Sequence, residues 1–330
     1  MSTRPPLRLP ALGEIEAARE RLSGLALRTP LIRLPDLQHL PSQESRVTSH
    51  EVWLKLENLQ PIGSFKLRGA GNAMRRMDTA ALREGVCTAS AGNMAQGVAW
   101  CAREMDVPCR VIAPDQAPAA KADAIQALGA ELIRVPFADW WKVMETHDTQ
   151  GVPGAFLHPV ENNDVMAGNG TIALEIVEDL PDVDAVVVPF GGGGLISGIG
   201  AGMRSLKPSC SVIAAEVVTA APLRASLDAG EARAINRIPS FIDGIGGASV
   251  LPAMWPLVRQ VVQDSVVVTL EDVAEAIREL VSRVRIVAEG AGAASLAAAR
   301  GRRVGRVVCV VSGGNIDPAV LATILQGSLP

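Results

Sequence analysis

Short apolar runs alternate along this chain with stretches rich in small residues at helical spacing. Val186–Val188, Val212–Ala215 and Val307–Val311 read as apolar strands, while Val98-Ala-Trp-Cys-Ala-Arg-Glu104 carries a helical pattern. This alternation predicts an α/β fold. Two lobes are expected: a small inserted α/β lobe over residues 74–159 and a larger one built from 1–73 together with 160–330. The turn composition of Gly151-Val-Pro-Gly154 places a junction near it.

Four segments put reactive or anion-binding groups at the predicted element boundaries. Gly63-Ser-Phe-Lys66 offers a tight turn, a hydroxyl, an aromatic wall and a primary amine that could act as a nucleophile. By itself it reads more often as a solvated charge. Ser90-Ala91-Gly92-Asn93 opens a helix, where free backbone N–H groups suit a carboxylate, although an ordinary N-cap has the same composition. Gly191-Gly192-Gly193-Gly194 follows the strand at Val186–Val188 and lets several N–H groups converge on a phosphate. Glu216 on the next strand invites a dinucleotide reading, but no Gly-x-Gly-x-x-Gly and no nucleotide P-loop can be drawn here. Ser312-Gly313-Gly314-Asn315 ends a further strand, and segments of this kind gather at one site on a parallel sheet.

Composition narrows the class. With 330 residues and 48% hydrophobic content the chain can bury a large core. A net charge of −4 with no basic cluster gives no reason to expect nucleic-acid or membrane partners. Residues 1–10 lack the apolar core of a secretory signal, and no run of 18 apolar residues occurs, so a cytoplasmic location is expected. Cys87, Cys101, Cys109, Cys210 and Cys309 show no paired spacing and read as buried thiols. His158 reads as structural, no metal site is expected, and Trp140-Trp141 fits either a core or an interface.

Six ordered motifs give the chain a family resemblance. Gly-Ser-Phe-Lys66-Leu-Arg-Gly-Ala, Ser90-Ala-Gly-Asn93, the Gly191–Gly194 loop, Phe241-Ile-Asp243-Gly244, Val287-Ala-Glu289-Gly-Ala-Gly-Ala and Ser312-Gly-Gly-Asn-Ile-Asp resemble the threonine/serine dehydratase and serine racemase family. The likeness runs from Thr29-Pro30 to Asp317. It implies the fold type II architecture, similar to tryptophan synthase β, with parallel-rich twisted sheets covered by helices, and pyridoxal 5′-phosphate as cofactor. Lys66 would then form the imine with the cofactor and later act as base at the substrate Cα, and Phe65 would pack beside the ring. Asn93 would bond the ring 3′ oxygen, Gly191, Gly192, Gly193, Gly194 and Leu195 would hold the phosphate, and Ser312 would meet the pyridine nitrogen. Glu289 would lie near the ring edge. Ser90, Ala91, Gly92, Asn93 and Met94 would cradle the substrate carboxylate, with Gly244 lining the same pocket. The implied reaction expels the β-hydroxyl of a threonine- or serine-type substrate, giving a 2-oxo acid and ammonia.

Several positions depart from the family pattern. Ala91 stands where racemases place a second serine, which disfavours racemisation. Pro222 stands six residues after Glu216, where the racemase-type cation site has an aspartate. Met94 replaces a histidine and Val160 an aromatic or polar residue, so a pocket for a bulkier substrate such as phenylserine is an alternative. The expectation is of no C-terminal regulatory domain and of a dimer or tetramer. A racemase, a non-enzymatic small-molecule binder and a nicotinamide oxidoreductase rank below the dehydratase.

Overall fold

Valine-dense strands form the centre of the larger of two sheets. The computed structural model describes residues 5–35, 51–117, 119–300 and 305–330; residues 1–4, part of the segment read for a secretory signal, lie outside them. The strands are β1 (Leu31–Arg33), β2 (Glu51–Lys55), β3 (Val86–Ala89), β4 (Cys109–Pro114), β5 (Glu131–Val135), β6 (Ala155–Phe156), β7 (Ala185–Pro189), β8 (Ser211–Val217), β9 (Asp264–Val268) and β10 (Arg306–Val310). The helices are α1 (Leu12–Leu22), α2 (Lys66–Arg76), α3 (Thr79–Arg83), α4 (Asn93–Glu104), α5 (Ala119–Ala127), α6 (Phe137–Thr146) and α7 (Asn163–Asp179). Beyond them come α8 (Gly194–Leu206), α9 (Pro222–Ala229), α10 (Trp255–Val261), α11 (Leu270–Glu279), α12 (Gly290–Ala299) and α13 (Pro318–Leu325).

The six-stranded sheet runs β1-β2-β10-β7-β8-β9, parallel except for the antiparallel edge strand β1. Its central strands are apolar on both faces because both faces are covered. Val187, Ile213, Val307 and Cys309 pack with residues of α11 and α12, while Val186, Val188, Val308 and Val310 pack with residues of α7, α8 and α10. The four-stranded sheet, β5-β4-β3-β6, is parallel throughout.

Two features bear on the expected lobes. The border between residues 73 and 74 falls inside α2, which packs against both α7 and α4. The Gly151–Gly154 turn is real, with both glycines in the left-handed region, but β6 follows it and pairs with β3. Turn composition marked a bend within the smaller sheet, and the chain crosses to α7 only after Phe156.

Helix α7 lies between α2 and α8. A methyl group on Gly168 would collide with the backbone carbonyl of Arg68 in α2, and one on Gly198 of α8 with that of Met166. Glycine at these positions lets backbones touch, which fixes the start of α2 relative to the start of α8. All five cysteines are buried and unpaired, as expected. Burial pushes the thiols of Cys87, Cys101, Cys109 and Cys210 up to about 12 and Cys309 higher still. Among the described residues no helix is long and apolar enough to cross a membrane.

Candidate active site

Three of the four segments meet at the carboxyl ends of adjacent strands. Lys66 begins the helix after β2, the glycine loop follows β7 and Ser312 follows β10, and β10 lies between the other two. The lysine turn is zipped to the Ser312 loop: Phe65 N–H donates to Ser312 O at 3.0 Å, and Gly314 N–H donates to Gly63 O at 2.9 Å. Lys66 Nζ donates to Pro159 O at 3.3 Å and lies 5.2 Å from the centre of the Phe65 ring. Burial lowers its pKa from 10.5 to about 8, against an opposing pull from Glu289.

Pro159 ties the amine to the glycine loop through its neighbour. Val160 is buried, and a side chain on Gly192 would collide with it. Gly193 caps α8 in the left-handed conformation, at φ 94°. The next free N–H groups belong to Gly194, Leu195 and Ile196, since Ser197 N–H already bonds Gly193 O. Gly191 closes the far side, where an added Cβ would lie 3.1 Å from Gly244 O.

The segment after β3 faces this ring of loops from the smaller sheet. Gly92 caps α4, and Gln96 N–H bonds Gly92 O, leaving the N–H groups of Asn93, Met94 and Ala95 as the free donors. Gly92 N–H instead donates to Ser90 Oγ at 3.2 Å. Asn93 Nδ2 donates to Glu289 Oε1 at 2.8 Å, and a Cβ on Gly313 would touch both groups. Glu289 is pushed up to about 7, first by burial and then by Asp243, while Asn93 opposes the shift. Asp243 pairs with Lys121 of α5, so this ion pair ties α5 to the loop that carries Gly244. Asn315 donates to Asn93 Oδ1 at 2.8 Å and to Ile62 O at 2.9 Å. Sequence reasoning passed over Pro159, Lys121 and Asn315 as site residues; the signal for Asn315 was its place in the Ser312–Asp317 motif.

Other expectations meet competing packing. The Met94 side chain is 2% exposed within an apolar cluster with Leu67, Val98 and Leu157. Val160 supports the glycine loop, so the two positions read as widening the pocket are occupied in packing. Glu216 accepts N–H bonds from Leu223 and Arg224 at 2.7 Å each and the Ser265 hydroxyl at 2.6 Å. Its carboxylate is therefore spent on the start of α9, where Pro222 is the first helical residue. Ring nitrogens of His147 and His158 and a carboxylate oxygen of Glu161 lie within 4.8 Å of one another. In His158, however, Nδ1 accepts N–H bonds from Val160 and Glu161, and Nε2 lies 3.2 Å from Met144 O. Burial and His147 lower His158 to about 3, so it stays neutral as a structural brace.

The residues fit the cofactor that the resemblance implies. A half-buried amine of lowered pKa lies beside an aromatic ring, an anion cradle opens at a helix N-terminus, and Ser312 supplies an uncharged hydroxyl. The Ser64 and Ser197 hydroxyls, near the lysine and just after the glycine loop, are buried without a protein partner.

The chain is similar to known proteins along nearly its whole length. The family profile described as pyridoxal-phosphate dependent enzyme matches residues 22–313. An L-threonine ammonia-lyase of Thermotoga maritima is 37% identical over 96% of this chain and 79% of its own. The processed form of threonine deaminase isoform 2 from Solanum lycopersicum superposes with a TM-score of 0.85 at 28% identity, covering 99% of this chain and 93% of that one. Serine racemase from Dictyostelium discoideum gives 0.80 at 30% identity, over 94% and 100% of the two chains.

Proposed function

The chain belongs to the pyridoxal-phosphate dependent enzymes, and from that premise we propose a lyase that dehydrates and deaminates threonine or serine to a 2-oxo acid and ammonia. The observation that carries the reading is the half-buried Lys66 amine at the strand ends, beside the Phe65 ring and bonded to Pro159 O, with its pKa lowered to about 8. Identity of 37% with a threonine ammonia-lyase over nearly the whole chain supports the reaction class.

When bound, pyridoxal phosphate supplies an electrophilic carbon and an electron sink for the substrate Cα. The chain orients and moves protons around that chemistry. The free donors at the start of α4 would hold the substrate carboxylate, with the Ser90 hydroxyl beside them. Those at the start of α8 would hold the phosphate. Lys66 Nζ, poised to titrate near the working pH, would take the Cα proton. Ser312, a neutral hydroxyl, would leave the ring nitrogen without the charge that a carboxylate partner stabilises. Ala91 offers no acid on the opposite face, so elimination is expected to outrun racemisation.

Cofactor loading gives a direct test of the amine. Mixing cofactor-free protein with pyridoxal phosphate should develop yellow colour at a rate that rises with pH and is half-maximal near 8, well below the 10.5 of an ordinary lysine. A midpoint near 10.5 would remove the special standing of Lys66.

The substrate test is a panel of L- and D-threonine, L- and D-serine and threo-phenylserine, with oxo acid and ammonia measured together. Oxo acid and ammonia released in equal amounts from threonine or serine support the reading, and racemised substrate without ammonia overturns it. Turnover of phenylserine alone would keep the chemistry and change the substrate, despite the packed positions of Met94 and Val160. The resemblance also implies a dimer or tetramer, whose size sedimentation would read.

A further inference from the structure

We infer that Asn315 is a positioning residue that fixes which way round the Asn93 amide stands, and so aims the Asn93 N–H₂ group at the cofactor ring. The inference rests on the cofactor reading above. A primary amide has a donor end and an acceptor end of nearly equal shape, and only its partners decide which faces the ligand. Asn93 has two such partners. On one side Asn315 Nδ2 donates to Asn93 Oδ1 at 2.8 Å. On the other, Asn93 Nδ2 donates to Glu289 Oε1 at 2.8 Å.

The two partners differ in how firmly they choose. Glu289 accepts when ionised, but burial pushes its pKa up to about 7, so near neutrality it also carries a proton and can face either end of the amide. Asn315 does not titrate, and its own direction is set by a backbone carbonyl, because the same Nδ2 donates to Ile62 O at 2.9 Å. A reversed Asn93 would set one N–H₂ group against another, leaving donors unmet in a partly buried site. The chain of control therefore runs from the Ile62 carbonyl through Asn315 to Asn93.

Gly63 makes room for this device. It occupies the left-handed region at φ 71°, and a Cβ there would lie 2.5 Å from Asn315 Oδ1. The glycine of the lysine turn thus serves the amide as well as the bend.

The test compares holoenzymes carrying Asn315→Ala, Asn315→Asp, Asn93→Ala and the Asn93→Ala/Asn315→Ala pair. An N–H donor at the 3′ oxygen favours its anionic, yellow-absorbing form, so the yellow to near-ultraviolet absorbance ratio reports the amide independently of turnover. Asn315→Ala should lower that ratio and reduce kcat about tenfold with KM within about twofold, the size expected for one misdirected hydrogen bond. Asn315→Asp, nearly the same shape, should do worse, because its carboxylate draws the Asn93 N–H₂ toward itself and away from the ring. In the Asn93→Ala background, Asn315→Ala should change neither ratio nor kcat further. An unchanged ratio in both Asn315 variants, or fully additive effects in the pair, overturns the inference. An unsubstituted protein that stays colourless with pyridoxal phosphate instead overturns the cofactor reading beneath it.

Discussion

Lys66→Met is expected to abolish turnover while making the cofactor-free protein more stable. Loss of the base that takes the Cα proton should cost at least about 10³-fold in kcat/KM, and without the amine the cofactor should leave on dialysis. The stability gain follows from burial. Lys66 has one hydrogen-bond acceptor, Pro159 O, and its pKa falls from 10.5 to about 8. A base whose pKa drops on folding holds its charge at a cost that is full below pH 8, shrinks between 8 and 10.5, and vanishes above. At pH 7 the methionine variant should therefore unfold with a free energy about 1–3 kcal/mol higher. Near pH 10 most of that advantage should be gone. Urea titrations of both cofactor-free proteins at the two pH values measure it. A variant less stable at pH 7, or one keeping a hundredth of the activity, would contradict this assignment of Lys66.

The segments of the candidate site were legible because their requirements are local. Four glycines after an apolar strand, small polar residues opening a helix and a lysine behind a tight turn are each demanded by backbone geometry within a few residues. Placing those segments on neighbouring strand ends needed only the rule for parallel sheets, and β2, β10 and β7 obey it. Contacts between distant segments were not legible. Met94 and Val160 looked like pocket walls because they depart from relatives, yet which way a side chain turns depends on packing partners far along the chain. Asn315 meets Asn93 across more than two hundred residues, which no periodicity encodes. At Gly151–Gly154 composition announces a bend, and only the pairing of β6 with β3 says which sheet the next residues join.

The buried charges around Arg68 were the least legible feature, because charged residues in a helical pattern ordinarily read as a solvated face. Lys55 of β2, Glu57 just after it, Arg68 of α2 and Glu175 of α7 are all at most 5% exposed. Arg68 holds Glu57 through Nε at 2.8 Å and Glu175 through a terminal nitrogen at 2.6 Å, and Lys55 bonds the same Glu175 at 2.5 Å. Two cations balance two anions, and Thr29 and Gln60 add hydrogen bonds to Glu57. Burial alone would raise Glu57, but Arg68 outweighs it and holds the carboxyl below its usual value. Arg68→Met would leave two buried carboxylates, with Lys55 bonded to Glu175 and no cation bonded to Glu57. Removing one member of such a buried network costs about 3–5 kcal/mol, more than the intact network need contribute over apolar packing. Adding Glu57→Gln to Arg68→Met removes the stranded charge and should recover part of the loss, even though one more native group is gone. Arg68 also follows the lysine by two residues in the first turn of α2, so the single variant should load cofactor poorly and the double variant better. Urea unfolding with the yellow absorbance as a second readout measures both. A double variant less stable than Arg68→Met would show that the network acts through its geometry and not through charge balance.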